Sequence, residues 1–291
     1  MFEGAFTALV TPFKNGEVDY EKLEELIEFQ IQNGIHGIVP CGTTGESATL
    51  SHEEHKQVIK KTIEIVNKRV KVIAGTGSNN TKEAIELTSA AREYGADGVL
   101  IITPYYNKPT QEGLYLHFKK IADEVKIPIV AYNVPGRTGI NMLPATVERI
   151  FKDIPEVVAV KEASGNVSQC IEILDRTDGK IDLLSGDDSL YFALLAIGGK
   201  GVISVVSNII PHDVAEVYNK FAAGNYKEAR DLFYKYFYLT KSMFYETNPI
   251  PVKTSLKLMG KINGELRLPL CEMKKENLEK LGKDLKRYGL I

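Results

Sequence analysis

The 291-residue sequence predicts an α/β fold, a (β/α)8 TIM barrel with a C-terminal helical extension, on three observations. Short β-branched apolar runs alternate with longer segments of helical period, as repeated βα units around a parallel sheet require. Eight such runs occur, enough for a sheet to close on itself, whereas open doubly wound sheets more often stop at roughly five to seven strands. No Gly-x-Gly-x-x-Gly fingerprint follows the first run, which argues against a dinucleotide-binding sheet.

In chain order the expected strands are Ala5–Val10, Gly37–Val39, Lys71–Ala74, Gly98–Ile102, Ile129–Tyr132, Val157–Lys161, Ile181–Leu184 and Gly201–Val205. Amphipathic stretches such as Tyr20–Gln32, Glu53–Asn67, Lys82–Tyr94 and Gln111–Val125 supply helices between them. Ser51 with Glu54, and Asn80 with Glu83, have the spacing of a capping box, in which each side chain satisfies an orphan backbone donor. The barrel is expected to occupy residues 1–224, ending with a helix near Pro211–Ala223. Residues 225–291 read as a helical bundle packed on it, through Tyr226–Glu246, Pro251–Met259 and Lys274–Tyr288. No polar linker separates the two.

Lys and Arg total 36 against 38 Asp and Glu, so there is no excess positive charge to follow a phosphate backbone, and nucleic acid is excluded as a partner. No apolar run reaches the roughly 20 residues of a membrane-spanning helix, and MFEGAFTALVTPF lacks a basic leader. The 3 cysteines are far apart and never spaced Cys-x-x-Cys, which argues against a disulfide framework or a structural zinc. A cytoplasmic protein is expected.

In a barrel of this kind chemistry sits at the C-terminal ends of the strands. Lys161 closes Val157-Val158-Ala159-Val160 there, where its ammonium is costly to desolvate. It either snorkels to solvent or points into the barrel mouth as a Schiff-base nucleophile. Attack on a ketone needs the neutral amine, so a pKa near 10.4 has to fall to about 7 to 8, which burial alone can achieve. Gly42-Thr43-Thr44-Gly45-Glu46-Ser47 follows the second strand, and its backbone N–H groups suit an anion such as a carboxylate. Without a Gly-Lys-Ser/Thr ending it is not a P-loop, and a plain tight turn is the alternative. Tyr132 closes the fifth strand as a core residue or a proton relay, and Arg137 beyond it offers a fork for a carboxylate. The Tyr105–Tyr106 pair lies on a proline-bounded loop and favours an interface. His52 and His55 lack the His-Glu-x-x-His pattern and a third ligand, so no metal is expected.

Taken together, Gly42-Thr43-Thr44-Gly45-Glu46, Tyr132-Asn133-Val134-Pro135 and Val160-Lys161-Glu162-Ala163 resemble the pyruvate-dependent class I aldolase/lyase superfamily, and within it the dihydrodipicolinate synthase family. The likeness runs from Phe2 to the C-terminus. It implies condensation of pyruvate with L-aspartate 4-semialdehyde, the committed step towards diaminopimelate and lysine, without a cofactor. By the same resemblance Lys161 forms the imine, Tyr132, Thr43 and Tyr106 are the proton relay, and Thr44 with its backbone binds the pyruvate carboxylate. Arg137 matches the residue that binds the aldehyde's carboxylate, and Gly186 and Ile203 line the pocket. Tyr106 is implied to cross a dimer interface into a neighbour's site, in a homotetramer built as a dimer of dimers. N-acetylneuraminate lyases and 2-keto-3-deoxy-gluconate aldolases, the sibling alternatives, typically lack the arginine that Arg137 supplies. A non-catalytic keto-acid-binding barrel is the remote alternative, against which Lys161, Tyr132, Thr43 and Tyr106 argue as a set. Ser47, Ala48, His52, His55, Gly77, Asn79, Glu83 and Tyr105 match an allosteric L-lysine site in inhibitable family members.

Overall fold

A computed structural model describes residues 1–291 and has a strand at each of the eight expected places. These are β1 (Gly4–Ala8), β4 (Gly37–Val39), β5 (Lys71–Gly75), β6 (Gly98–Ile102), β7 (Ile129–Asn133), β8 (Val157–Glu162), β9 (Asp182–Ser185) and β10 (Gly201–Ser204). They form a closed barrel in the order β1-β10-β9-β8-β7-β6-β5-β4. Strands such as Ile129–Asn133 are buried at every position, because a parallel strand in a βα fold has side chains on one face and helices on the other. β1 stops short of the expected Val10, whose N–H leaves the ladder and donates to the Asn208 side chain at 3.1 Å.

A hairpin of β2 (Phe13–Lys14) and β3 (Glu17–Val18) was not foreseen. Asn15 and Gly16 turn it with φ of 56° and 83°, the left-handed pair that a two-residue turn demands. Strands of two residues are too short to register as an apolar run.

The expected helices form, α1 (Tyr20–Gln32) with the expected bounds and α2 (His52–Val66), α3 (Thr81–Tyr94), α4 (Gln111–Glu124) and α9 (Pro211–Ala222) with ends shifted by one residue. Between them lie α5 (Pro135–Thr138), α6 (Pro144–Asp153), α7 (Val167–Arg176) and α8 (Tyr191–Ala196), and beyond them α10 (Tyr226–Ser242), α11 (Ile250–Leu258) and α12 (Lys275–Tyr288). The capping box at Ser51 and Glu54 is present in full. The one expected at Asn80 and Glu83 is not. Asn80 caps through its side chain, but its backbone N–H donates to Ser78 Oγ at 3.1 Å, and Ser78 Oγ–H in turn donates to Glu83 at 2.7 Å.

The chain divides into two compact units. The central unit, residues 1–4 with 71–203, contains β5 to β9 and most of β10, paired in parallel from Ile73↔Gly98 to Gly201↔Leu184, with one register shift between β7 and β8, where Ile129 faces Val157 and Val130 faces Ala159. The terminal unit, residues 5–70 with 204–291, contains most of β1, all of β4, helices α1 and α2, and α9 to α12. Within it α10 packs on α9, and α12 on α10 and α11.

Gly201 marks the tightest backbone approach in the central unit. At φ +155° it is in glycine territory, and a Cβ there would lie 1.9 Å from the Gly4 carbonyl oxygen. Gly201→Ala is therefore expected to cost about 3 kcal/mol or more, read as a lowered urea midpoint; an unchanged midpoint would refute this packing.

Candidate active site

In the central unit Lys161 and Tyr132 stand side by side on adjacent strands, in register. Alternation along a strand puts them on one face and the next pair, Glu162 and Asn133, on the other. The Lys161 ammonium lies 4.2 Å from the centroid of the Tyr132 ring, and each residue is only 6% exposed. Gly186 makes room for the lysine, since a Cβ there would stand 3.1 Å from Lys161 Cε and 2.6 Å from Ala163 Cβ. Ile203, on β10, is buried. Burial lowers the Lys161 pKa to about 7, with the Asp188 carboxylate pulling it up and the Arg137 guanidinium pushing it further down. An amine with its pKa lowered to about 7 is partly neutral at that pH and can act as a nucleophile without an external base.

The opposite face of the same strands carries a structural network. Glu162 accepts from Asn133 Nδ2 at 3.0 Å, from Gln169 Nε2 at 3.1 Å and from the Ser164 N–H at 2.7 Å. Asn141 joins it through Asn133 and Gln169, so the ends of β7 and β8 are tied to α7 and to the loop after α5. Arg137 is in α5 and exposed.

Tyr106 is 90% exposed and has φ of 72°, at the centre of a turn closed by Asn107 N–H donating to the Tyr105 carbonyl at 2.9 Å. A left-handed aromatic is an uncommon conformation, and this one holds its ring out of the chain's own core. The same loop meets Asn79, whose Nδ2 donates to the Tyr105 carbonyl at 3.1 Å. Gly77 is pressed against β6, with a notional Cβ 2.4 Å from Ile102 N. Gly77, Asn79, Glu83 and Tyr105 are thus gathered at one end of the central unit, with Glu83 half-buried.

The terminal unit holds Thr43, Thr44, Ser47, Ala48, His52 and His55. The Gly42–Ser47 loop folds on itself through Gly45 N–H and Ser47 N–H donating to the Gly42 carbonyl and Glu46 N–H to that of Thr43. Cys41 and Glu46 adopt left-handed φ of 55° and 52°, which turns the chain sharply at both ends of the loop. Thr44 is buried, Thr43 half-buried, and Thr44 Oγ1 accepts from Asn248 Nδ2 at 3.0 Å. Ser47 and Ala48 form a short 3-10 turn leading to His52 at the exposed start of α2, whereas His55 is buried one turn later.

Sequence reasoning missed what fastens this loop. Glu46 accepts from Lys253 Nζ at 2.5 Å, with neither side chain exposed, and from the Arg267 N–H at 3.3 Å. Burial lowers the Lys253 pKa and Glu46 opposes that shift. The Lys253 ammonium also lies 4.2 Å from the Phe13 ring centroid, on the hairpin. Asp188, buried and felt by Lys161, was likewise not singled out; an aspartate following Gly186-Asp187 carries no signal of burial in sequence.

Residues 1–288 match the model of the dihydrodipicolinate synthetase family. The chain belongs to that family. It is 58% identical over 291 residues to the 4-hydroxy-tetrahydrodipicolinate synthase of Geobacter metallireducens, with both chains covered in full. Among solved family members, the enzyme of Acinetobacter baumannii in complex with pyruvate is 46% identical with a TM-score of 0.97, covering 100% of each chain. The enzyme of Cyanidioschyzon merolae with lysine bound is 41% identical with a TM-score of 0.96, covering 100% of this chain and 99% of that one.

The Glu46–Lys253 pair yields a stability prediction. Removing one partner strands a buried charge, so Lys253→Met is expected to cost about 3 to 5 kcal/mol in urea unfolding. Lys253→Met with Glu46→Gln should recover at least half of that loss, and strict additivity of the two would refute the pairing.

Proposed function

We propose that the chain condenses pyruvate with L-aspartate 4-semialdehyde to give 4-hydroxy-tetrahydrodipicolinate, in lysine and diaminopimelate biosynthesis. The observation that carries this reading is the buried, inward Lys161 whose pKa falls to about 7 beside Tyr132, in a chain of this family. The neutral amine adds to the ketone carbon of pyruvate and water leaves, forming an imine. The protonated imine draws electrons from the methyl group, a methyl proton is lost, and the resulting enamine attacks the aldehyde carbon. The amino group of the second substrate then displaces Lys161 and closes the ring.

Tyr132, Thr43 and Tyr106 relay the protons, and Thr44 with its adjoining backbone holds the pyruvate carboxylate. Arg137 takes the carboxylate of the aldehyde, and Gly186 and Ile203 shape the pocket. Tyr106 acts from a second copy of the chain in a homotetramer, a dimer of dimers; its 90% exposure and left-handed backbone support that assignment. Catalysis needs no cofactor. The three cysteines are free, which suits the cytoplasm, and no helix is long and apolar enough to cross a membrane. Residues 1–224 act as the catalytic barrel and 225–291 as its helical support.

Borohydride reduction with pyruvate should trap a covalent adduct on the parent chain and none on Lys161→Ala. Its initial rate should rise with pH through about 7, because raising the pH through the Lys161 pKa releases the nucleophilic form, and level off above. A rate still climbing steeply above pH 9 would show an unperturbed amine and sink the reading.

L-lysine acts as a feedback inhibitor through Ser47, Ala48, His52, His55, Gly77, Asn79, Glu83 and Tyr105, with the Glu83 carboxylate facing its ammonium. The lysine-bound relative supports this assignment. Turnover should fall at millimolar L-lysine, and Glu83→Gln should raise the half-inhibitory concentration about tenfold or more. Activity indifferent to L-lysine would remove the proposed site.

A further inference from the structure

Three contacts hold the Gly42–Ser47 loop so firmly that its side chains have little freedom left. The Glu46 carboxylate is gripped by Lys253 and by the Arg267 N–H, and the Gly45 carbonyl accepts from Thr11 Oγ1 at 2.7 Å. Gly45 packs closely on the chain just after β1, where a Cβ would lie 3.0 Å from the Leu9 carbonyl oxygen. With the backbone held and the side chain buried, the freest motion left at Thr44 is the rotation of its hydroxyl about the Cβ–Oγ bond. That rotation decides whether Thr44 presents a hydrogen or a lone pair to a ligand.

We infer that Asn248 is a positioning residue that sets the Thr44 hydroxyl as a donor towards a substrate carboxylate; the inference rests on the carboxylate role proposed for Thr44. A hydroxyl has one hydrogen to give and two lone pairs to receive. The Asn248 amide nitrogen donates to Oγ1 at 3.0 Å, and with only hydrogens on that nitrogen it cannot accept the hydroxyl hydrogen back. The hydrogen is thereby directed elsewhere. Both residues are buried, Thr44 at 3% and Asn248 at 4% exposure, so the contact between them is largely shielded from bulk solvent. Asn248 is itself held by the element that fixes the loop: it stands two residues before α11, and Lys253 on that helix reaches Glu46, two residues beyond Thr44. One helix therefore sets both where the threonine is and which way its hydroxyl points. Orienting a donor before the ligand arrives spares the cost of ordering it during binding.

The test is a double-mutant cycle read on the pyruvate concentration that half-saturates borohydride trapping, with KM and kcat in parallel. Asn248→Ala is expected to raise the half-saturating concentration and KM about tenfold while changing kcat less than about threefold, the size of one hydrogen bond to a charged group. Asn248→Asp should be worse than Ala, about a hundredfold, because its carboxylate accepts the hydroxyl hydrogen and repels the ligand. In a Thr44→Val background, which keeps the shape and removes the hydroxyl, Asn248→Ala should add less than about twofold. Equal effects of Asn248→Ala in both backgrounds, or an Asn248→Asp that binds pyruvate like the parent, would overturn the orienting role. Should Asn248→Ala fail to fold, the isosteric Asn248→Asp carries the same decision. A parent chain that traps no pyruvate would instead bring down the proposed activity, and this inference with it.

Discussion

The neutral amine of Lys161 is the constraint around which the rest is arranged. A lysine amine is kept neutral near pH 7 chiefly by withholding water, and a strand in a closed barrel is one of the few places where a lysine can be withheld from water without leaving the chain's own backbone unpaired. The cost of burying it is shared out locally. Gly186 leaves space for the lysine stem, Tyr132 places an aromatic face beside the nitrogen, and Asp188 moderates the depression that burial imposes. Arg137 adds to that depression, so a residue proposed to bind substrate also biases the nucleophile towards its reactive form.

The strand that presents Lys161 inwards presents Glu162 outwards, and the two buried side chains are treated in opposite ways. Glu162 receives three kinds of donor and is locked in place, whereas Lys161 has an aromatic face and distant charges. A carboxylate met by that many donors is firmly held, and it fixes the end of the strand that also carries the lysine. The terminal unit applies the same logic to its loop, with a buried ion pair as the anchor.

Much of this was legible in the sequence, for physical reasons. Parallel strands are buried on both faces, so they stand out as β-branched runs even when only three residues long, as Gly37–Val39 is. Lys161 was legible because a lysine closing such a run contradicts the run's own preference. Helix caps were legible at Ser51, where nothing competes, and misleading at Asn80, where Ser78 offers the backbone N–H a nearer partner. The hairpin escaped because its strands are two residues long. Asn248 and Lys253 escaped for a different reason: their partners lie more than 200 residues away along the chain, and no local pattern encodes a contact of that range.

That range has a consequence for the chain as it is made. Glu46 leaves the ribosome 207 residues before the lysine that will hold it. At about 5 to 20 residues per second, the loop waits roughly 10 to 40 s with an unpartnered acid where the finished protein has a dry ion pair. Until then the carboxylate has to stay in water, so the loop cannot be drawn into the interior early. The anchor of a loop made early in the chain is therefore supplied only by its last fifth.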